Sequence, residues 1–221
     1  MYKIALIIST IPSINVFRTV LEKSFHSGHY NHFLICSGFF QERHNSKGAF
    51  YASAAFDSAT LPTGSSVTVV GAYAPNSKEF NGFTQKLSTG LNSAGKPTVI
   101  VNQRRSLKQY ANHWHAKIYI ARQDDEHRLA VVGSSNLTRS AFNFTASNNE
   151  ADVLVWDDSH PATKKIVDEA FGEQQGDPIG SPSRPVIVVS NYEPEDPRNS
   201  FKGPLNVRLK QLWNDVITAT Q

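Results

Sequence analysis

The segment HWHAKIYI, residues 113–120, places two histidines and a lysine in a pattern that otherwise predicts a β-strand. Because successive side chains of a strand point to opposite faces, His115, Lys117 and Tyr119 would share one reactive face, and the residues between them would form an apolar face. Imidazole and ammonium groups can attack an electrophile, transfer a proton or hold an anion. A polar face turned to solvent gives the same pattern, so this segment alone leaves both interpretations open.

A second chemical signal is the sequence GSSN at residues 133–136, which follows one predicted strand and opens into a predicted helix. Ser134, Ser135 and the amide of Asn136, together with backbone N–H groups at a helix N-terminus, are donors that suit an anion. A plain helix cap, with Gly133 in the turn, explains the same residues. Sequence spacing alone does not bring this corner next to His115.

The two segments together resemble the signature of the phospholipase D superfamily, which joins H-x-K to a later G-S-x-N. The matching residues are His115, Lys117, Gly133, Ser134 and Asn136. The segment NNEADVLV resembles the N-x-E strand of the family, in which Glu150 would be the carboxylate that orients the histidine. The aspartate of the signature would fall at position 122, where this sequence has Arg122. In the family that aspartate is mainly a structural support, so its replacement does not exclude activity.

The resemblance implies hydrolysis of phosphodiesters without a metal ion or another cofactor. One imidazole attacks phosphorus, a second imidazole protonates the departing oxygen, and the lysine and asparagine hold the phosphoryl oxygens. The residues expected to be catalytic are His115, Lys117, Ser134, Asn136 and Glu150. The sequence contains a single H-x-K motif, and short chains of the family compensate by forming a homodimer. We therefore expect two copies of His115 to meet at a two-fold subunit boundary.

Residues that precede the motif favour nucleic acid as the substrate. The segment NQRRSLKQYANHWH mixes basic and aromatic residues, which suits a phosphate backbone and an unstacked base, although a solvated loop has the same composition. The expected substrate contacts are Ser37, Arg104, Arg105, Lys108, Trp114, Gly133 and Ser135. Because single-motif members are usually nucleases, the resemblance implies an endonuclease that acts on DNA in preference to RNA, in host defence or restriction. The alternatives are a phosphodiesterase for lipids or small nucleotides and an inactive nucleic-acid-binding or scaffold protein.

Three other histidines, His26, His29 and His32, raise the question of a metal site. Their spacing suits neither one helical face nor a paired Cys/His site, and no carboxylate or thiol is close in sequence. We interpret them as surface histidines.

Strands and helices alternate along the chain, which predicts an α/β fold. The resemblance specifies an α-β-α sandwich of the phospholipase D type with a mixed central sheet. The segments 48–59 and 137–145 are predicted to be helical. Residues 1–173 would form the catalytic domain, and residues 174–221 a proline-rich extension whose final helix packs on the same domain or on a partner.

Composition excludes several classes of protein. With 221 residues, 39% hydrophobic and 19% charged, the chain is typical of a globular fold and not of a disordered or coiled-coil protein. The net charge of +3 favours a polyanionic partner only slightly. A single cysteine, Cys36, excludes an intrachain disulfide. No apolar run approaches the roughly 20 residues of a membrane span, so no membrane association and a cytoplasmic location are expected.

Overall fold

An eight-stranded mixed sheet forms the centre of the fold. The computed structural model describes residues 1–9, 15–45, 48–71, 77–94, 99–105, 117–143, 149–172 and 185–220. The strands are β1 (Tyr2–Ser9), β2 (His32–Ser37), β3 (Glu42–Asn45), β4 (Gly48–Tyr51), β5 (Thr60–Leu61), β6 (Ser66–Gly71), β7 (Asn92–Ser93), β8 (Ile100–Arg105), β9 (Lys117–Gln123), β10 (Glu126–Gly133), β11 (Glu150–Asp157) and β12 (Val186–Asn191). The large sheet has the order β12-β1-β11-β10-β9-β2-β6-β8, in which β2, β6 and β8 are parallel and the other neighbours are antiparallel. The short strands form two separate pairs, β3 with β4 and β5 with β7.

Helices cover both faces of this sheet. They are α1 (Val16–His26), α2 (Ser77–Gly90), α3 (Arg139–Phe142), α4 (Pro161–Gly172) and α5 (Leu205–Ala219). On one face α1, α2 and α4 bury side chains such as Phe25 and Phe83 in the larger core. On the other face α5 buries Leu209, Trp213 and Val216 in a second core. The three layers confirm the predicted α-β-α sandwich with a mixed central sheet.

Strand β9 is buried on both faces along most of its length, so the expected reactive face is confined to its beginning. Tyr119 is only 1% exposed, and its hydroxyl is hydrogen-bonded to the hydroxyl of Ser24 in α1. Ile118 and Ile120 point to the opposite face and pack in the core beneath α5. The prediction was wrong at Tyr119 because helices cover both sides of a central strand, which alternation along one segment does not reveal.

Two helices predicted from the sequence are largely replaced by other structure. Residues 48–59 form β4 followed by a short 3₁₀ helix, Ala52–Phe56, and β4 pairs with β3 in a hairpin that the sequence analysis did not predict. The Glu42 side chain is 1% exposed, and its carboxylate accepts hydrogen bonds from the Ser53 backbone N–H at 2.6 Å and hydroxyl at 2.9 Å. This tertiary contact outweighs local helix preference. The helix predicted over 137–145 contributes only the single turn of α3 within the described residues.

The C-terminal segment adds two elements to the same sheet. β12 pairs with β1 as an edge strand, and α5 packs across the second face. The predicted boundary at residue 173 stays a prediction, because residues 173–184 lie outside the described residues. Within the described part of the chain, no helix is long and apolar enough to cross a membrane.

Candidate active site

One row of paired residues crosses the sheet at the edge where β2, β6 and β8 end. Ile7 pairs with Asp152, Asp152 with Gly133, and Gly133 with Lys117. On the neighbouring strands Ser37 pairs with Gly71, and Gly71 with Arg105. Cys36 pairs with Ile118, so Ser37 and Lys117 are the next positions of β2 and β9 beyond that pair. Residues paired across neighbouring strands point to the same face of a sheet. Side chains that are more than 100 positions apart in the sequence therefore meet at one edge, which we call the catalytic edge.

The hairpin of β9 and β10 places Lys117 directly opposite Gly133. The strands turn at Asp124, which has a positive φ of 53°, and the register shifts once between His127 and Leu129. Turn and bulge together determine the pairing. The ladder thus brings the GSSN corner beside the strand that begins with the H-x-K lysine, which sequence spacing did not predict.

Gly133 permits a close approach between β10 and β11. A Cβ at this position would lie 2.0 Å from Oδ1 of Asp152 and 2.6 Å from the carbonyl oxygen of Ala151. Any side chain would therefore collide with the neighbouring strand. The glycine leaves room for the Asp152 carboxylate, so its role is spatial.

Asp152 is buried and binds the GSSN corner through Ser135. It was not among the site residues predicted from the sequence. It is 3% exposed and accepts hydrogen bonds from the Ser135 hydroxyl at 2.6 Å and the Ser135 backbone N–H at 3.2 Å. Burial raises the pKa of Asp152, while the bonds from Ser135 oppose that rise. Ser135 is itself 3% exposed. Although a substrate contact was expected of Ser135, we infer that it holds the corner on Asp152. Glu150 and Asp152 are two residues apart in a predicted strand, so their side chains share one face. This spacing could have identified Asp152 as a site residue.

Ser134 and Glu150 meet at the rim of the catalytic edge. Ser134 is exposed, and its hydroxyl donates a hydrogen bond to the Glu150 carboxylate. The same hydroxyl accepts a bond of 2.9 Å from the Ala151 backbone N–H, and the Ser134 N–H donates to the Ala151 carbonyl at 3.1 Å. Two of the residues expected to be catalytic are therefore in contact, and the carboxylate is held in a fixed position.

The orientation of the Asn136 amide follows from its neighbours. Its Oδ1 accepts a hydrogen bond of 3.2 Å from the Phe39 backbone N–H, so oxygen and not nitrogen must face that donor. The NH₂ group of Asn136 consequently points away from this loop. Ser37 is 1% exposed, donates to the Phe39 carbonyl at 2.7 Å and accepts from the Leu137 N–H at 3.2 Å. We infer that Ser37 positions Asn136, although a substrate contact was expected of it.

The two expected arginine contacts are the last two residues of β8. Arg105 pairs with Gly71 in the catalytic row. Arg104 faces α5 and donates a hydrogen bond of 3.3 Å to the Ile217 carbonyl near the C-terminus of that helix. This bond holds the Arg104 side chain against α5, which disfavours Arg104 as a substrate contact. His115, Lys108 and Trp114 lie outside the described residues.

Arg122, at the position of the signature aspartate, lies at the far end of β9. Its guanidinium is 4.9 Å from the ring of Trp213 in α5 and 3.3 Å from the Asp125 carboxylate. The replacement therefore packs beneath α5, at the end of the strand opposite to Lys117. Among the described residues, no group of three or more His, Cys, Asp or Glu side chains is arranged to hold a metal ion.

The match to a family model decides the family. Residues 63–173, half of the chain, match the model described as cardiolipin synthase, PLD-like domain. The chain belongs to the phospholipase D superfamily. The resemblance seen in the H-x-K and GSSN motifs is thereby confirmed, and the superfamily consists of phosphodiesterases. The matched range includes β6, β8 to β11 and α4, and therefore most strands of the catalytic edge.

Several solved structures are similar to this chain at low sequence identity. NucT from Helicobacter pylori is 16% identical, with 80% of this chain and 95% of that chain covered and a TM-score of 0.40. Polyphosphate kinase from Porphyromonas gingivalis is 14% identical, with 80% and 27% covered and a TM-score of 0.38. Yeast tyrosyl-DNA phosphodiesterase is 12% identical, with 68% and 32% covered and a TM-score of 0.36. No curated protein matches the sequence.

Proposed function

We propose that this protein is a metal-independent endonuclease that hydrolyses nucleic-acid phosphodiester bonds, with one active site shared by two copies of the chain. The convergence of Lys117, Asn136 and the Ser134–Glu150 pair on the catalytic edge is the main support. His115 precedes Lys117, the first residue of β9, by two positions in the sequence.

The proposed reaction has two steps. First, an imidazole nitrogen of His115 attacks phosphorus and the bond to the departing oxygen breaks, while His115 of the second copy donates a proton to that oxygen. Water then attacks phosphorus of the phosphohistidine, the P–N bond breaks and frees His115, and the second histidine takes up a proton from this water. Lys117 and the NH₂ of Asn136 hold the negative oxygens in both steps. Glu150, fixed by Ser134, orients His115.

Nucleic acid is favoured as the substrate by an aromatic side chain at the edge. Phe39 is 44% exposed, and its backbone N–H bonds directly to Asn136. Phe39 therefore adjoins Asn136 at the proposed phosphate site, and an exposed aromatic ring at such a site suits stacking on an unpaired base. The basic residues of the segment NQRRSLKQYANHWH favour a phosphate backbone by their type. We favour DNA over RNA and a role in host defence or restriction on the family resemblance.

The test is cleavage of plasmid, linear and single-stranded DNA and of RNA in the presence of EDTA. The wild type should cleave, and His115→Ala should reduce the cleavage rate by at least about 1,000-fold. The control is His29→Ala, which changes an exposed histidine remote from the catalytic edge and should cleave at the wild-type rate. Cleavage that requires a divalent metal, or that survives the loss of His115, would refute the mechanism. Cleavage of phosphatidylcholine alone would identify a lipid phosphodiesterase, and binding of nucleic acid without cleavage an inactive scaffold.

A further inference from the structure

A polar cleft lies between β4, the 3₁₀ helix that follows it and the C-terminal end of α2. Its volume is about 570 Å³, and its lining includes Tyr51, Asp57, Ser58, Lys86 and Asn92. This volume falls within the roughly 300–1,000 Å³ that is typical of clefts for small ligands. Among the described residues that line the cleft, none is an aliphatic residue larger than alanine. The cleft therefore suits a polar ligand and not the tail of a lipid.

Tyr51 supplies the cleft with an aromatic platform. The Lys86 ammonium lies 3.3 Å from the centre of the Tyr51 ring. The same ammonium lies 3.4 Å from the carboxylate of Glu42, a side chain that is 1% exposed. A cation that is itself fixed by a buried carboxylate thus holds one face of the ring. A flat ligand can stack only on the other face, where it meets a ring that needs little further ordering.

Two unusual positions lie together at the end of α2. Ser58 has a positive φ of 62°, a conformation that favours glycine, and its backbone N–H donates a hydrogen bond of 2.9 Å to the Gly90 carbonyl. A Cβ at Gly90 would lie 2.5 Å from Oδ1 of Asp57, so the glycine leaves room for that carboxylate. Strained residues cluster at ligand sites, where the side chain has a use that offsets the strain. Here the side chains of Ser58 and Asp57 both line the cleft.

The cleft is close to the catalytic edge. The backbone N–H of Ala52, the residue after Tyr51, donates a hydrogen bond of 3.1 Å to the Gln41 carbonyl. The Gln41 N–H donates one of 3.0 Å to the carbonyl of Leu137, the residue after Asn136. Two strand spacings, about 10 Å in all, therefore separate the backbone at Tyr51 from the GSSN corner.

Exposed aromatic rings are concentrated around this corner. Among the described residues, two aromatic side chains are exposed, Phe39 at 44% and Tyr51 at 37%. The backbone N–H of Phe39 bonds to Asn136, so both rings belong to segments that adjoin the proposed phosphate site. Successive aromatic rings beside a phosphate site are typical of proteins that bind single strands, because every base has a face on which a ring can stack.

We propose that this cleft binds an unpaired base of the nucleic acid, a few nucleotides from the bond that is cleaved, and prefers bases with an exocyclic amino group. The base stacks on Tyr51, and its amino group donates a hydrogen bond to the Asp57 carboxylate, which can only accept. Because a carboxylate repels phosphate, the base and not the backbone enters the cleft. The choice of nucleic acid as the ligand rests on the proposed function, whereas the preference among bases follows from the cleft.

Binding of single strands of cytidine and of thymidine tests the cleft, since cytosine carries an exocyclic amino group and thymine does not. Fluorescence anisotropy of labelled strands in EDTA measures Kd for the full chain with His115→Ala, which keeps the strands intact. We expect oligodeoxycytidine to bind at least about fivefold more tightly than oligothymidine. Tyr51→Leu should weaken binding of oligodeoxycytidine at least about fivefold, and Tyr51→Phe, which keeps the ring, should leave it unchanged.

A second pair of variants tests the carboxylate. Asp57→Asn should bring the ratio of the two Kd values close to one, because an amide both accepts and donates hydrogen bonds. The control is Asp168→Asn, which changes an exposed carboxylate on α4 and should leave the ratio unchanged. Equal binding of the two strands before any change at Asp57 would overturn the role of this carboxylate.

Hydrolysis of bis(p-nitrophenyl) phosphate by chains that retain His115 separates the cleft from the proposed function. This small phosphodiester does not extend to Tyr51, so Tyr51→Leu should leave its rate of hydrolysis unchanged. If Tyr51→Leu bound single strands as tightly as the unchanged chain, or if the chain cleaved duplex DNA but bound neither strand, the cleft alone would be overturned. A chain that cleaves no nucleic acid but shows the expected losses of binding would refute the proposed function and support the cleft.

Discussion

Replacement of Gly133 by alanine tests the close contact at the centre of the catalytic edge. Its new Cβ would lie 2.6 Å from the Ala151 carbonyl oxygen and 2.0 Å from Oδ1 of Asp152, whereas real Cβ atoms essentially never come within 3.0 Å of another heavy atom. β10 and β11 would therefore have to separate by about 0.4 Å (3.0 − 2.6) at this row. The Asp152 carboxylate would also turn away from Ser135.

The two effects give the expected magnitude. Overpacking costs about 1–3 kcal/mol, and disruption of the buried bonds between Asp152 and Ser135 adds about 1–2 kcal/mol. We expect Gly133→Ala to lower the free energy of unfolding by about 2–5 kcal/mol. Because Ser134 and Asn136 lie one and three residues after Gly133, their displacement should lower kcat by about 100-fold.

Urea unfolding and the rate of DNA cleavage in EDTA measure these two quantities. Gly82→Ala is the matched control, because a Cβ there meets only the Glu42 Cβ at 3.4 Å. Alanine inside α2 should raise stability by up to about 1 kcal/mol and leave kcat unchanged. If Gly133→Ala unfolded at the same urea concentration as the wild type and kept its kcat, the steric reasoning would be refuted.

Two further predictions concern the amide of Asn136 and a buried histidine. Asn136→Asp keeps the oxygen that accepts a hydrogen bond from the Phe39 N–H but replaces the NH₂ group by negative charge. We expect kcat to fall about 100- to 1,000-fold while the melting temperature stays unchanged. An unchanged kcat would exclude contact between the Asn136 amide and phosphate. Burial, and then the charge of Arg122, lower the pKa of His127 from 6.5 to about 4. Between these pH values the unfolded chain takes up a proton that the folded chain does not, so stability should fall with decreasing pH in this window, by at most about 3 kcal/mol. His127→Phe, which keeps a ring beside Trp213, should flatten this pH dependence in urea unfolding, and an equally steep dependence in the variant would contradict the assignment.

Local patterns were sufficient for most of the elements. The final helix predicted within residues 174–221 is α5, Leu205–Ala219. Its Leu209, Trp213 and Val216 form one apolar stripe, which specifies both the helix and its buried side. Segments without such a stripe were less predictable. β4 lies in a segment that was predicted to be helical, because the buried Glu42 carboxylate that fixes its end comes from a different strand.

The family and its chemical groups can be recognised from the sequence, since motif residues such as Lys117, Gly133 and Asn136 are identifiable by type and spacing. The roles of the surrounding residues became visible in the folded structure. It showed that Asp152 and Ser135 hold each other in the core, that Ser37 supports Asn136, and that Arg104 faces α5. These roles depend on register across seven strands and on which face is covered, and pairing between distant segments leaves no periodic signal in a single sequence.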